Sequence, residues 1–224
     1  MTNDHLTDEE GTIAQALRRG LGAHPNRAPK DSACLDTADA AAGAVGRLLD
    51  RAATEGLIDV SYTSVDSPFG MLLAATTKRG LVRLAFPEDD MDAVLDGLAH
   101  RLSPRIIESS APLDPLRREL DGYFSGTRRT FDLALDWSLI GPFGRKVLGR
   151  TAGIPYGKVL TYAEVAAEAG SPRGSRAAGN ALGANPIPIV IPCHRVLRTS
   201  GGLGGYAGGL DRKRYLLELE GAVR

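Results

Sequence analysis

The residues best suited to chemistry stand in the run Ile189-Val190-Ile191-Pro192-Cys193-His194-Arg195-Val196, where one of the chain's two cysteines directly precedes a histidine. A thiol attacks only as its thiolate and has a free pKa of about 8.5, so an adjacent imidazole that accepts its proton turns the sulfur into a nucleophile. The alternative is a buried structural cysteine at the end of an apolar strand, Ile189–Ile191, bracketed by prolines. The pattern therefore predicts a nucleophile or a core thiol, and the rest of the chain decides between them.

Charge is divided unevenly along the 224 residues, although the formal net charge is zero. Residues 1–139 carry 15 Lys and Arg against 22 Asp and Glu, whereas residues 140–224 carry 12 against 5. An acidic half beside a basic half indicates a nucleic-acid-binding face on the second half, or an intramolecular contact between the two halves.

The cysteine content and the hydropathy pattern bound the class of protein. Cys34 and Cys193 are far apart and form no Cys-x-x-Cys pair, which argues against a disulfide framework or a structural zinc site. The amino terminus is polar and acidic, and no apolar run approaches about 18 residues. These features predict a cytoplasmic protein with no membrane partner.

Three segments are predicted from the patterns: an extension over residues 1–56, an α+β domain over 57–139 and a basic domain over 140–224. The extension contains a predicted helix from Thr37 to Glu55 and has no assigned role. Alternating apolar residues and tight turns then predict an antiparallel meander, followed by two helices and a closing strand. The segments in order are Val60–Val65, Met71–Thr76, Leu81–Phe86, helices Met91–Leu102 and Leu113–Phe124, and strand Thr130–Leu135.

The basic half reads as short helices around a helix-turn-helix. A helix is predicted over Pro142–Gly149, a second after Thr161, where Thr161 and Glu164 have the form of a capping box, and a third from Arg173 to Leu182. The third is rich in Ala and Gly, which permit close backbone approach to a narrow groove without sequence preference. A small-residue helix packed tightly against a neighbour is the alternative.

Four motifs in this half, in this order, resemble the O6-alkylguanine-DNA alkyltransferases, the methylated-DNA-protein-cysteine methyltransferases. They are Gly183-Ala184-Asn185-Pro186-Ile187-Pro188, Ile191-Pro192-Cys193-His194-Arg195-Val196, Gly205-Tyr206-Ala207-Gly208-Gly209-Leu210 and Leu216-Leu217-Glu218-Leu219-Glu220-Gly221. The resemblance is looser from Val60, where Ser67-Pro68-Phe69-Gly70 is similar to the family's first hairpin. It implies an α+β fold: a ribonuclease H-like domain with an antiparallel sheet, then a mostly helical, winged helix-turn-helix-like domain that carries the cysteine.

The resemblance also implies a reaction and a partner. The alkyl group on O6 of guanine in double-stranded DNA passes irreversibly to Cys193, once per molecule, after the base is flipped from the minor-groove side. O4-alkylthymine stays open as a second substrate. The protein is expected to be a monomer without a cofactor, and assembly of several copies along DNA is left open.

Residue roles follow from the same resemblance. His194 relays the Cys193 proton through a water, Glu220 orients the imidazole, and Asn185 holds the turn beside the active-site strand. This arrangement is the nucleophile, base and carboxylate logic of a catalytic triad. The alternatives without a catalytic role are a solvated helix residue for Glu220 and a helix C-cap for Asn185.

DNA contacts and the substrate pocket are assigned in the same way. Tyr162 donates to guanine N3 and helps to rotate the 3′ phosphate, and Arg176 fills the space of the extruded base; a core tyrosine and a surface cation are the alternatives. Ala177 and Gly179 face the DNA on the same helix. The pocket is implied to consist of Pro188, Val196, Tyr206 and Ala207, with the carbonyls of Cys193 and Val196 accepting from the guanine amine.

Two departures from the family accompany these roles. Ala207 stands where some members have serine, which leaves only a backbone donor there, and Gly183 stands where some members have a basic residue on the recognition helix. Residues that bind zinc in some relatives have no counterpart here, so the resemblance implies no metal. Two competing functions stay open. A non-catalytic sensor of alkylated DNA is disfavoured because such relatives lack the cysteine, and a cysteine hydrolase would turn over repeatedly.

Overall fold

The computed structural model describes residues 43–49, 51–52 and 55–223. Residues 43–49 and 51–52 are helical, which agrees with the helix predicted in the extension. The earlier part of the extension, including Cys34, lies outside the described residues. No helix in the described part of the chain is long and apolar enough to cross a bilayer.

The predicted meander is confirmed as three antiparallel strands, β1 (Val60–Val65), β2 (Leu72–Thr77) and β3 (Gly80–Ala85). A short fourth strand, β4 (Ile106–Glu108), pairs in parallel with β1, so the sheet order is β3-β2-β1-β4. A parallel neighbour requires a crossover, and helix α1 (Met91–Arg101) supplies it. The sequence analysis did not predict β4, because three residues are too few to display a strand pattern.

The sheet is buried on both faces. The residues of β2 from Leu72 to Ala75 are all buried, since consecutive side chains point to opposite faces and each face is covered. On one side, Ala75 packs with Leu98 of α1 in a small cluster. On the other side, Leu72 joins a larger core shared with helix α2 (Asp114–Phe124) and with the basic half of the chain.

The strand predicted over Thr130–Leu135 is wrong. That segment is extended but forms only one bridge to β3, where the Leu81 N–H donates to Ala134 O at 2.9 Å. Farther along the same edge, the Leu84 N–H donates to Pro186 O at 2.8 Å. Because the edge of β3 is shared between two segments, neither continues as a paired strand.

The basic half consists of four helices and a two-stranded parallel pairing, which confirms the α+β class with a sheet region first and a mostly helical region second. The helices are α3 (Pro142–Ala152), α4 (Tyr162–Glu168), α5 (Ser175–Gly183) and α6 (Leu210–Leu219), and the strands are β5 (Leu160–Thr161) and β6 (Val196–Leu197). Helices α4 and α5 pack against each other as the helix-turn-helix pattern predicts.

The capping box at the start of α4 is confirmed. Thr161 Oγ1 accepts from the Glu164 N–H at 3.2 Å, and the Glu164 carboxylate accepts from the Thr161 N–H at 2.7 Å. These bonds satisfy two of the free donors at the helix end. They also fix Tyr162 as the first residue of α4.

The apolar strand predicted over Ile189–Ile191 is wrong, because these residues form a tight turn. Ile189 has a φ of 72°, and only an isolated bridge joins Pro188 to Ile191. The flanking prolines have no N–H to donate to a ladder, so a bracketed segment of three residues cannot pair as a strand. After this tight turn, the chain continues through Pro192 into a 3-10 turn that begins at Cys193.

Candidate active site

Cys193 lies at the start of the 3-10 turn Cys193–Arg195, with 5% of its surface exposed. Its Sγ accepts a hydrogen bond from Asn185 Nδ2 at 3.1 Å. The same amide donates to Ile191 O at 2.9 Å and accepts from the Ile187 N–H at 3.0 Å. Asn185 therefore braces the tight turn and contacts the sulfur, which is more than a helix C-cap does.

Burial sets the resting state of the sulfur. It raises the pKa of the Cys193 thiol to about 11, against the lowering effects of the Asn185 hydrogen bond and the nearby charge of Lys213. At neutral pH the group is a thiol, and it needs a base before it can attack.

His194, the residue predicted to act as that base, has no exposed surface. Its Nε2 lies 2.9 Å from Glu220 Oε1, and since a carboxylate only accepts, Nε2 carries the hydrogen and Nδ1 presents a lone pair. Nδ1 is buried without a hydrogen-bond partner among the described residues. Burial lowers the pKa of His194, although Glu220 opposes this, so the imidazole is neutral and free to accept a proton. Cys193, His194 and Glu220 are called the relay below.

Glu220 is buried and is held by several donors besides His194. Arg195 donates to both of its oxygens, each at 2.8 Å, and Tyr123 Oη donates at 2.6 Å. The Gly157 N–H adds a weaker bond at 3.3 Å. Burial alone would raise the pKa of this carboxyl, but the bonds from His194 and Arg195 lower it to about 2.

Two of these donors were not predicted from the sequence. Tyr123 lies in α2, 97 positions from Glu220, and no sequence pattern connects them. Arg195 directly follows the Cys-His pair. A cation at that position was a sequence signal for a buried carboxylate nearby that needs a counter-charge. Arg195 also donates to Ile154 O at 2.5 Å, which anchors the guanidinium.

A cavity of about 600 Å³ opens onto Cys193. Several predicted residues line it. They come from α4, from α5 and from the glycine-rich loop between β6 and α6 (residues 198–209): Tyr162, Arg176, Gly179, Tyr206 and Ala207. Gly183 lines it as well. The chain therefore brings the cysteine, the helix-turn-helix and the loop to one recess.

Three of the residues predicted to contact DNA or to form the pocket do not line this cavity. Ala177 is exposed on α5, whereas Pro188 and Val196 are buried. The Pro188 carbonyl accepts from the Val190 N–H inside the tight turn, and the Val196 carbonyl accepts from Lys213. Pro188 is buried in the tight turn, and its part in the substrate pocket stays a prediction.

Residues 204–207 of the glycine-rich loop form one side of the cavity and are called the pocket lip. Tyr162 Oη donates to Gly205 O at 3.1 Å. Gly204 has a φ of 71°, and a Cβ there would lie 2.7 Å from the Tyr162 ring, so only glycine permits this approach. Tyr162 is half-buried and contacts both the lip and the large core cluster.

Tyr206 of the lip contacts both halves of the chain. Its ring packs edge-on against Phe86, with centroids 6.1 Å apart, and against His194, at 6.4 Å. Its Oη is buried without a partner among the described residues. Nowhere in this described part do three or more His, Cys, Asp or Glu side chains come together to hold a metal ion.

Family models match both halves of the chain. Residues 60–137 match the ribonuclease-like domain of 6-O-methylguanine DNA methyltransferase, and residues 142–222 match its DNA binding domain. A methylated-DNA–protein-cysteine methyltransferase of Mycolicibacterium paratuberculosis is 40% identical over 162 residues, covering 72% of this chain and 92% of that protein. The protein of the same name from Methanosarcina barkeri is 41% identical over 160 residues, covering 71% and 96%.

Solved structures agree with these matches. The crystal structure of Mycobacterium tuberculosis O6-methylguanine methyltransferase has a TM-score of 0.63 and 37% identity, covering 73% of this chain and 93% of that one. The structure titled Mycobacterium tuberculosis OGT in complex with DNA has the same score and identity, covering 72% and 93%. Since both halves match the two domains of one family and the chain covers more than nine tenths of these relatives, it belongs to the methylated-DNA–protein-cysteine methyltransferase family.

Proposed function

We propose that this chain repairs alkylated DNA by transferring the alkyl group from O6 of guanine to Cys193 Sγ, once per molecule and without a cofactor. The observation that carries the proposal is the relay itself: a buried thiol opens onto a cavity beside the helix-turn-helix and is followed by a histidine bonded to a buried carboxylate. Family membership supports the same reaction.

The chemistry starts at the sulfur. His194 Nδ1, which has no other described partner, takes the thiol proton through an intervening water, and Glu220 stabilises the imidazolium that forms. The thiolate then forms a C–S bond to the alkyl carbon as the C–O6 bond breaks, and the electron pair stays on the guanine. Tyr162 Oη has one hydrogen, which it donates to Gly205 O in the free protein, and it must turn this hydrogen to guanine N3 to stabilise the departing base.

The DNA is engaged through α4 and α5. Cys193 lies at a recess, so the alkylated guanine must leave the stack to reach it, at a cost of a few kcal/mol that is smaller for a poorly paired base. Arg176 is exposed near the start of α5 and lines the cavity, where it can replace the extruded base. Ala177 and Gly179 permit close approach to the minor groove, and Ala207 offers its backbone N–H to O6.

The Val196 carbonyl is only partly available to accept a hydrogen bond from the guanine amine. Lys213 already donates to it at 2.6 Å, so a guanine amine must share this acceptor through its second lone pair. The Cys193 carbonyl accepts in the same way from the Val196 N–H that closes the 3-10 turn. O4-alkylthymine offers no such amine, and the proposed preference is therefore for guanine.

The test is mass spectrometry of the intact protein and of its peptides after mixing with a duplex that contains one O6-methylguanine. We expect a stoichiometric gain of one methylene, mapped to Cys193, and no further turnover. A Cys193→Ser variant should bind the same duplex as a monomer and remove no methyl group. Binding by the wild-type protein without an adduct would instead indicate a sensor, and repeated demethylation without an adduct would indicate a hydrolase.

A further inference from the structure

Arg212, in the first turn of α6, is a cation that the proposed reaction leaves unused. Its side chain lies between the two halves of the chain and has 19% of its surface exposed. The guanidinium carbon lies over two aromatic rings of the sheet region, 4.8 Å from the centroid of Phe86 and 5.6 Å from that of Phe69. A planar cation held against two rings has little freedom to reorient. Its hydrogen-bond partners therefore indicate what it positions.

Two acceptors from different halves of the chain bond to this guanidinium. Arg212 Nη1 donates to Gly208 O at 2.9 Å, and Nη2 donates to the Glu88 carboxylate. Gly208 directly follows the pocket lip and is buried, whereas Glu88 lies in the turn after β3. The Glu88 side chain is 65% exposed, and water screens an ion pair of this kind. Arg212 therefore acts chiefly through the Gly208 carbonyl, to which it makes a charge-assisted bond away from solvent.

Phe86, the residue directly after β3, is buried and packs between Arg212 and the lip. A Cβ at Gly208 would lie 2.6 Å from the Phe86 ring, so only glycine leaves room for this ring. The same ring meets Tyr206 edge-on. Its backbone is fixed by a turn, because the Phe86 N–H donates to Asp89 Oδ2 at 3.1 Å and the Asp89 N–H donates to Phe86 O at 3.0 Å. Phe86 is therefore a fixed surface against which the lip packs.

The orientation of Tyr206 depends on this packing. A buried tyrosine is usually held by a hydrogen bond from its hydroxyl, but Tyr206 Oη has no partner among the described residues. Two aromatic rings meet the Tyr206 ring, those of Phe86 and His194. His194 belongs to the relay, and Tyr206 lines the cavity onto which Cys193 opens. The contact with Phe86 therefore connects the position of a cavity wall to the rest of the fold.

We propose that Arg212 is a positioning residue for the alkyl transfer: it holds Gly208 against Phe86, so that the Tyr206 ring stays at the wall of the cavity beside His194. This inference rests on the proposed function of the chain as an alkyl acceptor. Arg212 does not line the cavity and contacts no substrate in this scheme, and it acts through the lip. A misplacement of about 1 Å can slow a reaction about 100-fold, because the alkyl carbon must stand in line with the sulfur.

Three substitutions and a matched control test this role. Arg212→Met keeps the apolar length of the side chain and removes the guanidinium, whereas Arg212→Lys keeps one cationic donor for the Gly208 carbonyl and loses the planar group. Phe86→Leu removes the ring that packs against the lip. Arg214→Met is the control, since it makes the same change two residues along α6, where the side chain is exposed. Melting temperatures establish that each variant is folded, and Arg212→Lys is the deciding variant if Arg212→Met is not.

The first measurement is the single-turnover rate of transfer from the O6-methylguanine duplex at saturating protein. We expect it to fall about tenfold in Arg212→Met and in Phe86→Leu, about threefold in Arg212→Lys, and not at all in Arg214→Met. The Kd for the same duplex, measured with each change in a Cys193→Ser background, should stay within about twofold, since the lip and not the DNA-binding helices is disturbed. The double variant of Arg212→Met and Phe86→Leu should also slow about tenfold rather than about 100-fold, because both changes act through one ring.

The second measurement is amide hydrogen exchange over residues 203–209 in DNA-free protein, followed by mass spectrometry. In the wild-type protein the Gly209 N–H donates to Tyr206 O at 3.0 Å, which protects this segment. We expect faster exchange there in Arg212→Met and Phe86→Leu than in the wild type or in Arg214→Met, because the lip is released.

The outcomes are distinguishable. An unchanged saturating rate in folded Arg212 and Phe86 variants would overturn the proposal, and so would a loss of activity that follows a weaker Kd. Slower transfer with unchanged exchange would overturn the action through the lip, and an additive double variant would overturn the shared route. If wild-type protein fails to take the methyl group but the variants still raise exchange, the proposed function fails and the hold of Arg212 on the lip stands.

Discussion

The two ends of the relay differ in how completely their polar atoms are bonded. At the carboxylate end, Glu220 accepts from Tyr123, from His194 and twice from Arg195. At the end beside the cavity, Cys193 Sγ accepts one bond, from Asn185, whereas His194 Nδ1 and the Oη of the neighbouring Tyr206 are buried and no described residue bonds to either. Buried polar groups in folded proteins are almost always bonded, so the contrast is unusual within so small a region.

The difference separates support from action. A carboxylate with several charge-assisted bonds holds one orientation and keeps the imidazole beside it in one tautomer. His194 Nδ1 and Tyr206 Oη have no partner among the described residues, so they can bond to a water or to a bound molecule. The carboxylate end of the relay is therefore held in one orientation, whereas the end beside the cavity can accept new hydrogen bonds. We expect the two ends to respond differently to substitution.

The largest effect is expected where the bonded end is broken. Glu220→Gln leaves the buried Arg195 guanidinium without its counter-charge, and we expect the free energy of unfolding to fall by about 3–5 kcal/mol. Alkyl transfer should slow about 10²–10⁴-fold, because the imidazolium loses its stabilising carboxylate. Urea unfolding and single-turnover kinetics measure the two effects. Exposed Glu218→Gln, two residues away, is the control, and equal losses in both variants would contradict the argument.

Acid should act on the same end. The folded pKa of Glu220 is about 2 and its ordinary value is 4.5, so its contribution to stability is present above about pH 4.5 and is lost as the pH falls through about 2. We expect a loss of about 3 kcal/mol in the free energy of unfolding across this window. Chemical unfolding at several pH values measures it, and the wild-type curve should fall more steeply than that of Glu220→Gln. Parallel curves would assign the acid sensitivity to other groups.

Tyr123→Phe removes one donor from Glu220 without changing the packing. A hydrogen bond to a charged group contributes about 1.5–3 kcal/mol, and we expect the free energy of unfolding to fall by that amount. Transfer should slow less than in Glu220→Gln, because Arg195 still holds the carboxylate. If stability is unchanged in urea unfolding, the bonded end is less tightly held than the geometry indicates.

Tyr206→Phe makes the same chemical change at the cavity end and should have the smallest effect on stability. Its hydroxyl has no described partner to lose, so the free energy of unfolding should stay constant or rise by up to about 1 kcal/mol. The matched pair of Tyr-to-Phe variants, compared in one urea experiment, isolates the contrast between the two ends. A loss of unfolding free energy in Tyr206→Phe as large as that in Tyr123→Phe would contradict the contrast between the two ends.

The sequence analysis was most successful where a signal is local. The capping box before α4 and the three strands of the meander involve neighbours in the chain, and both are confirmed. It was wrong where an extended apolar segment, Thr130–Leu135 or Ile189–Ile191, was assigned as a strand. An apolar run shows that a segment is buried but not whether an edge is free to pair with it.

The candidate site divides in the same way. The adjacency of Cys193 and His194 is visible in the sequence, and the family resemblance indicates Glu220. Tyr123 and Lys213 were not found, because a tyrosine in an amphipathic helix and a lysine in the charged run Asp211-Arg212-Lys213-Arg214 look like ordinary core and surface residues. Tyr123 bonds to Glu220 and Lys213 bonds to the Val196 carbonyl, and both partners are distant in the chain.

The sequence by itself determined the class of fold, the candidate nucleophile and the family, because these depend on residue types and on short spacings. Only the tertiary structure decided which groups surround the nucleophile. The polarity of a site depends on burial and on donors that the fold brings together from distant segments. Burial makes Cys193 a resting thiol. Packing of α2 against the basic half brings Tyr123 to Glu220, and packing of α6 within that half brings Lys213 to the pocket lip.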